Sequence, residues 1–133
     1  MKYFICRLGG FIIGIPADQT EHIAPAARTQ ENISERENGK TYISVPALMR
    51  QTDLSAPHAL MLKAKTPPPD SGQIVLLTPK IIIDLEIQDE KISRLPGVFA
   101  GVYSFFSGAC FTEDGLNLIL LINPQKLQEK YND

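Results

Sequence analysis

Residues 3–16 read YFICRLGGFIIGIP, and this stretch decides the fold. Phe4, Cys6 and Leu8 alternate with Tyr3, Ile5 and Arg7, which is the period-2 pattern of a strand. Gly9-Gly10 can take positive φ, and residues 11–15 return as a second apolar strand. Pro16 ends that strand because proline has no ladder donor. Residues 17–22 are polar and predict one short helical turn with Asp18 as its cap.

The same hairpin pattern recurs outward along the chain. Residues 28–40 are the most polar stretch and read as a solvated loop, yet Asn38-Gly39 inside it is a strong hairpin signal. It predicts strands at 33–37 and 40–45. Pro46 then suits a first helical position, so 46–51 predict a helical turn. Leu60 and Leu62 alternate with Met61 and Lys63, a turn at 66–72 holds three prolines, Asp70, Ser71 and Gly72, and 73–77 return. Ile81, Ile83, Leu85 and Ile87 alternate with Lys80, Ile82, Asp84 and Glu86, which predicts one half-buried strand after the break at Thr78-Pro79. After a loop at Pro96-Gly97, residues 98–112 and 116–122 flank Asp114-Gly115, a fourth hairpin turn, with Gly101 and Gly108 placed to bend its first strand. Asn123-Pro124 reads as an N-cap and first helical residue, with Leu127 facing the core from a helix over 124–131.

Composition bounds the rest. A length of 133 residues and 44% apolar content predict one domain, 1–133, able to bury a core. Lys+Arg 13 against Asp+Glu 15 gives −2, which argues against sequence-independent nucleic-acid binding. No apolar run reaches the roughly 20 residues of a membrane span. Arg7, Gly9 and Gly10 divide the N-terminal apolar stretch, so it does not read as a signal peptide. Cys6 and Cys110 are too few for a disulfide framework and read as buried thiols, so a cytoplasmic location is expected. Short strands with frequent turns predict an all-β barrel or sandwich, with no convincing internal repeat.

The chemical inventory is thin. His22 lies in a polar connection and His58 at a strand start, with no ligand spacing between them. Cys6, Cys110, His22 and His58 would make an irregular zinc set, lacking both C-x-x-C and H-x₃-H pairs. Asp84 with Glu86, and Asp89 with Glu90, are paired carboxylates, but on a half-apolar strand such acids usually form the solvated face. Gly9-Gly10 has no following G-K-[S/T], so no phosphate loop is predicted. Pro67–Pro69 read as a stiff hairpin loop before a polyproline ligand. Phe99, Tyr103, Phe105, Phe106 and Phe111 cluster without basic neighbours, as for a core or a protein contact. The expectation is a non-enzymatic binding module without cofactor or metal.

In order and spacing these segments resemble the CheW-like chemotaxis coupling domain. YFICRLGGFIIGIPADQTEHIAP is similar to that family's first hairpin, GQIVLLTPKIIIDLEIQDEKISRLP to its paired strands and following loop, and FFSGACFTEDGLNLILLINPQKL to its last hairpin and helix. The resemblance implies a mainly β fold of two small five-stranded SH3-like barrels packed together, with a short C-terminal helix. It implies a scaffold coupling chemoreceptor cytoplasmic tips to the histidine kinase CheA through the kinase's own CheW-like regulatory domain, at membrane-associated arrays. The receptor tip would lie in an apolar groove, a helix-in-groove mode.

The middle motif, here ENGKTYISVPALM, departs from the family. Its Arg-Gly pair falls near Asn38, Gly39 and Lys40, its proline on Ser44 and its aspartate on Ala47. Arg36 or Lys40 supplies charge but not a guanidinium fork at that place. Thr78 and Asn123 stand at two further family aspartates, and the stretch between Pro25 and Gly39 is short. The candidate protein-binding residues are Asn38, Gly39, Lys40, Ser44, Val45, Leu76, Leu77 and Ile83. Two other expectations stay open: a diverged CheW-like module that has lost receptor or kinase coupling, and a small β-barrel ligand-binding protein or enzyme built around His58 or Asp84.

Overall fold

The opening hairpin forms as the alternation requires, with β1 (Lys2–Leu8) antiparallel to β2 (Phe11–Pro16) and Gly9 at φ 59° in its turn. The computed structural model describes residues 1–26, 28–63, 73–94 and 105–131. The turn at 66–72, the Pro96-Gly97 loop, Phe99, Gly101 and Tyr103 therefore lie outside the described residues. Along the rest of the chain come β3 (Thr20–Pro25), β4 (Ser34–Glu37), β5 (Lys40–Ser44), α1 (Val45–Leu48), β6 (His58–Leu62), β7 (Gln73–Thr78), β8 (Ile81–Glu86), β9 (Phe106–Phe111), β10 (Leu118–Ile122) and α2 (Pro124–Tyr131).

The strands build a five-stranded sheet ordered β8-β1-β2-β10-β9 and another ordered β3-β6-β7-β5-β4. Each order ends on two edges and does not close on itself, so the expected barrels are open sheets here. The two orders are one arrangement used twice. A hairpin, β1–β2 or β6–β7, takes a parallel strand on one flank, β10 or β5, which is itself hairpinned to β9 or β4. The other flank is an exchanged strand. β3 follows β2 in the chain but pairs with β6, and β8 follows β7 but pairs with β1.

A shared core lies between the sheets. It draws Cys6, Leu8, Ile13 and Ile15 from one and Ile43, Leu60, Leu62, Ile74 and Leu76 from the other, joined by Leu127 of α2. The outer faces carry smaller clusters. Ile87 and Ile92 pack over Tyr3, Ile5, Ile119 and Leu121, while Ala56 packs with Ala59, Val75 and Leu77. The central strands β2 and β7 are thus buried on both faces, which is why they read as unbroken apolar runs.

Four local expectations need correction. Residues 17–22 hold only a 3₁₀ turn, Ala17–Gln19, with no side-chain cap, and β3 begins at Thr20. The helical turn after β5 starts at Val45, because Ser44 Oγ caps it by accepting from Ala47 N at 3.2 Å. Asp114-Gly115 is not a two-residue turn. Asp114 Oδ1 accepts from Leu116 N at 3.0 Å and Thr112 N donates to Asn117 O at 2.9 Å, so 112–117 form a longer loop. Finally, the register of β1 and β8 shifts between Ile5 and Cys6, leaving Ile82 as an extra residue. A bulge resets which face a side chain occupies. Ile81 therefore packs on the shared core, Leu85 on the outer cluster, and Ile82 and Ile83 are 55% and 53% exposed.

Other local signals hold. Asn123 Oδ1 accepts from Gln125 N at 3.0 Å and caps α2. Gly108 marks a close approach more than a bend, since a Cβ there would lie 2.7 Å from Ser93 O. That approach lets Ser93 bridge to Ala109 beside β9.

Candidate functional site

The β4–β5 hairpin turns on Asn38 at φ 52° and Gly39 at φ 76°. Two successive left-handed residues match the twist of the flanking strands, and Asn-Gly is the pair that reaches them most cheaply. Asn38 and Gly39 are exposed and Lys40 is half-buried. The hairpin is anchored from the segment before it. The Arg28 guanidinium bonds Glu35 at 2.8 Å and also bonds Glu37, and it lies 4.3 Å over the Tyr42 ring. Its bond to Glu37 pushes its pKa further above an already high value, so it stays a fixed cation. Arg28 Nε also donates to Gln30 Oε1 at 3.0 Å. Gln30 is 4% exposed, and its amide donates to Tyr42 O at 2.9 Å and Asn32 O at 3.0 Å. A buried amide satisfied in this way ties residues 28–33 to β5.

Seven of the eight candidate residues meet on one sheet or directly beside it. β5 and β7 run parallel with Lys40 opposite Gln73, Ile43 opposite Leu76 and Ser44 opposite Leu77. Asn38, Gly39 and Lys40 present the surface of this group. Ser44, Val45, Leu76 and Leu77 are at most 1% exposed and form its interior, with Leu76 in the shared core and Leu77 in the outer cluster. Ile83 stands apart on β8, the edge of the other sheet.

Sequence reasoning missed Arg28 and Gln30, which sit in the stretch read as a solvated loop. Of the apolar patch at the β9–β10 loop, the sequence pointed only to Phe111, among the aromatics read as a core or a protein contact, and not to Leu116 or Leu118. Phe111 is 66% exposed, Leu116 81% and Leu118 42%. They border a groove of about 740 Å³ that also takes Phe11 and Ile12, with Lys91 and Arg94 at its rim. The available signal was Leu116 between Gly115 and Asn117, an apolar residue inside a turn.

The titratable groups are spread apart. Cys6 lies in the shared core, where burial pushes its thiol up to about 12, and Cys110 lies in the outer cluster with its thiol also raised by burial. His58 Nδ1 accepts from Ile81 N at 3.0 Å and so fixes the start of the exchanged strand. Asp84 faces Lys2 at 3.4 Å on the open edge. Thr78 is buried, and its hydroxyl has no hydrogen-bond partner among the described residues. Among the described residues, no group of three or more His, Cys, Asp or Glu is placed to hold a metal ion. No helix there is long and apolar enough to cross a membrane.

Two five-stranded sheets with exchanged edge strands, a shared core and a short terminal helix define a CheW-like fold. Among solved structures, the chain is similar to the scaffolding protein TtCheW from Thermoanaerobacter tengcongensis, with a TM-score of 0.67 and 12% identity over 91% of this chain and 82% of that one. No family model matches the sequence, and no curated protein matches it.

Proposed function

We propose that the chain is a CheW-like adaptor that assembles signalling proteins and performs no chemistry. In this reading it couples chemoreceptor cytoplasmic tips to the CheA regulatory domain in the cytoplasm, as one domain over residues 1–133. The observation that carries the reading is the likeness to a scaffolding protein over 91% of the chain. The thin chemical inventory agrees with it. Asn38, Gly39 and Lys40 contact the kinase domain from the β4–β5 turn. Ser44, Val45, Leu76 and Leu77 shape that surface from beneath, and Ile83 offers an apolar contact on the other sheet.

A second reading is a diverged module that has lost one of these couplings. The observation favouring it is the middle motif, with Asn38 near the family's arginine and Ala47 at its aspartate. Calorimetric titration against the CheA regulatory domain and a receptor tip fragment decides between them. The adaptor binds both, and Asn38→Arg binds the kinase domain more tightly by supplying the missing fork. Binding to one alone supports the diverged module. Binding to neither leaves the fold without the adaptor role.

A further inference from the structure

The β4–β5 hairpin sets Glu37 directly opposite Lys40 and Glu35 opposite Tyr42. Residues opposite each other in an antiparallel pair share a face, so these four side chains stand together beside the Asn38-Gly39 turn. An acid and a base so placed favour pairing across the strands. Here they do not pair. Among the described residues Lys40 has no ion pair, and both carboxylates are bound instead by Arg28, from the segment ahead of the hairpin.

The geometry of the guanidinium accounts for this choice. Arg28 Nη1 bonds Glu37, Nη2 donates to Glu35 Oε2 at 2.8 Å, and Nε donates to Gln30 Oε1 at 3.0 Å. Every nitrogen of the fork is engaged, and its central carbon lies 4.3 Å over the Tyr42 ring. A planar, pre-organised fork holds two carboxylates in this way, whereas the ammonium of a flexible lysine is a point charge that must give up tightly bound water. Glu37 is thereby turned away from its cross-strand neighbour. Of Glu35, Glu37 and Lys40 on this face, Lys40 alone lacks a counter-ion among the described residues.

We propose that Arg28 is a positioning residue that withholds Glu37 from Lys40, and that the freed Lys40 ammonium recognises a carboxylate on the partner domain. This inference rests on the adaptor reading, in which the β4–β5 turn contacts the kinase domain, and it names the chemistry that the turn selects. A carboxylate is the group that completes the charge left open on this face. The same arrangement excludes a partner that brings a cation to the turn, since Arg28 already fills the two acids that would receive it. A charge pair at the edge of an interface acts mainly on the rate of encounter and is screened by salt.

Association and dissociation rates with the CheA regulatory domain, measured at low and high salt, test both halves. Lys40→Gln should weaken binding about threefold to fivefold, mostly through a slower association, and should flatten its salt dependence. Arg28→Ala should weaken binding by a similar factor, because Glu37 then turns to Lys40. Adding Glu37→Gln to Arg28→Ala removes the competing acid and should restore the affinity. A merely structural loss of the Arg28 anchor would not be reversed by that second change. In a Lys40→Gln background, Arg28→Ala should cost no further affinity. Unchanged binding by Lys40→Gln overturns the recognised carboxylate, and failure of Glu37→Gln to rescue overturns the withholding role. Nitrogen-15 NMR of the lysine ammonium groups reads the arrangement in the free chain, where Lys40 should pair with Glu37 in Arg28→Ala and not in the parent. A Lys40 that stays unpaired in that variant overturns the role of Arg28 whether or not a partner binds. A parent that binds neither the kinase domain nor a receptor tip fragment overturns the adaptor reading itself, and the recognised carboxylate with it.

Discussion

Truncating Leu76, Leu77 and Ile83 one at a time separates the interior of the candidate surface from its exterior. Leu76 is 0% exposed and sits in the shared core, where both sheets hold the surroundings in place. Leu76→Ala removes the buried side chain and leaves a cavity that cannot fully collapse, at a cost of about 4 kcal/mol. Leu77 is 1% exposed but lies in the outer cluster, among Ala56, Ala59 and Val75 under half-buried Ala26, Tyr42 and Met61. That cover can settle into the gap, so Leu77→Ala should cost about 2–3 kcal/mol, the low end of the range. Ile83 is 53% exposed, and Ile83→Ala should cost less than about 1 kcal/mol. For a chain of this length these differences correspond to roughly 4 °C in Tm per kcal/mol. Urea denaturation followed by circular dichroism supplies the free energies. Titration with the CheA regulatory domain, run where all variants are folded, supplies affinity. Leu77→Ala is expected to bind normally once folded, because its side chain reaches no partner. A Leu77→Ala protein within about 0.5 kcal/mol of the parent refutes the packing argument. A Leu76→Ala cost no larger than that of Leu77→Ala refutes the distinction between the two clusters.

The remaining predictions concern the turn and the buried thiol. Gly39→Ala forces a Cβ into φ 76° and should lower stability by about 1 kcal/mol, whereas Asn38→Gly should stay within about 0.5 kcal/mol. An unchanged urea midpoint in Gly39→Ala would show that the turn does not hold its left-handed form. Burial pushes the Cys6 thiol up to about 12, so above pH 9 the unfolded chain loses that proton while the folded chain keeps it. The folded state then binds more protons than the unfolded one, and stability falls as pH rises from about 9 toward 12. Cys6→Ala should fall less steeply over that window than the parent, and parallel curves would count against a buried thiol.

The strands whose two faces are both settled locally were legible. β1, β2, β6 and β7 carry their pattern in their own residues, and Asn38-Gly39 and Asn123-Pro124 announce a turn and a cap by local geometry. The exchanged strand β3 was not legible. Its residues are mostly exposed, so its strand state comes from pairing with β6, which no local pattern encodes. β8 showed a clean alternation that the bulge at Ile82 divides, and a bulge is fixed by the partner strand's register. At the candidate site the turn could be read, but its anchor could not. Gln30 looks like a loop residue until the carbonyls of Asn32 and Tyr42 converge on it.

The unread strand β3 and the unread bulge of β8 fall at equivalent places in the repeated arrangement. β2 ends at Pro16 before β3, and Pro79 separates β7 from β8. At both places a residue without an N–H stands where the chain leaves its own sheet. The two strands that follow share one burial pattern, intermediate at the first and fifth positions and exposed elsewhere, and each has a register shift against its host hairpin. No sequence likeness links TEHIAP to IIIDLE, so the repeat exists only in three dimensions. Exchange leaves β3 and β8 as outer edges while binding each sheet to the other. Loss of either strand removes an edge from one sheet and the tether of its neighbour. Lesions in the shared core, such as Leu76→Ala, must therefore be felt in both sheets at once.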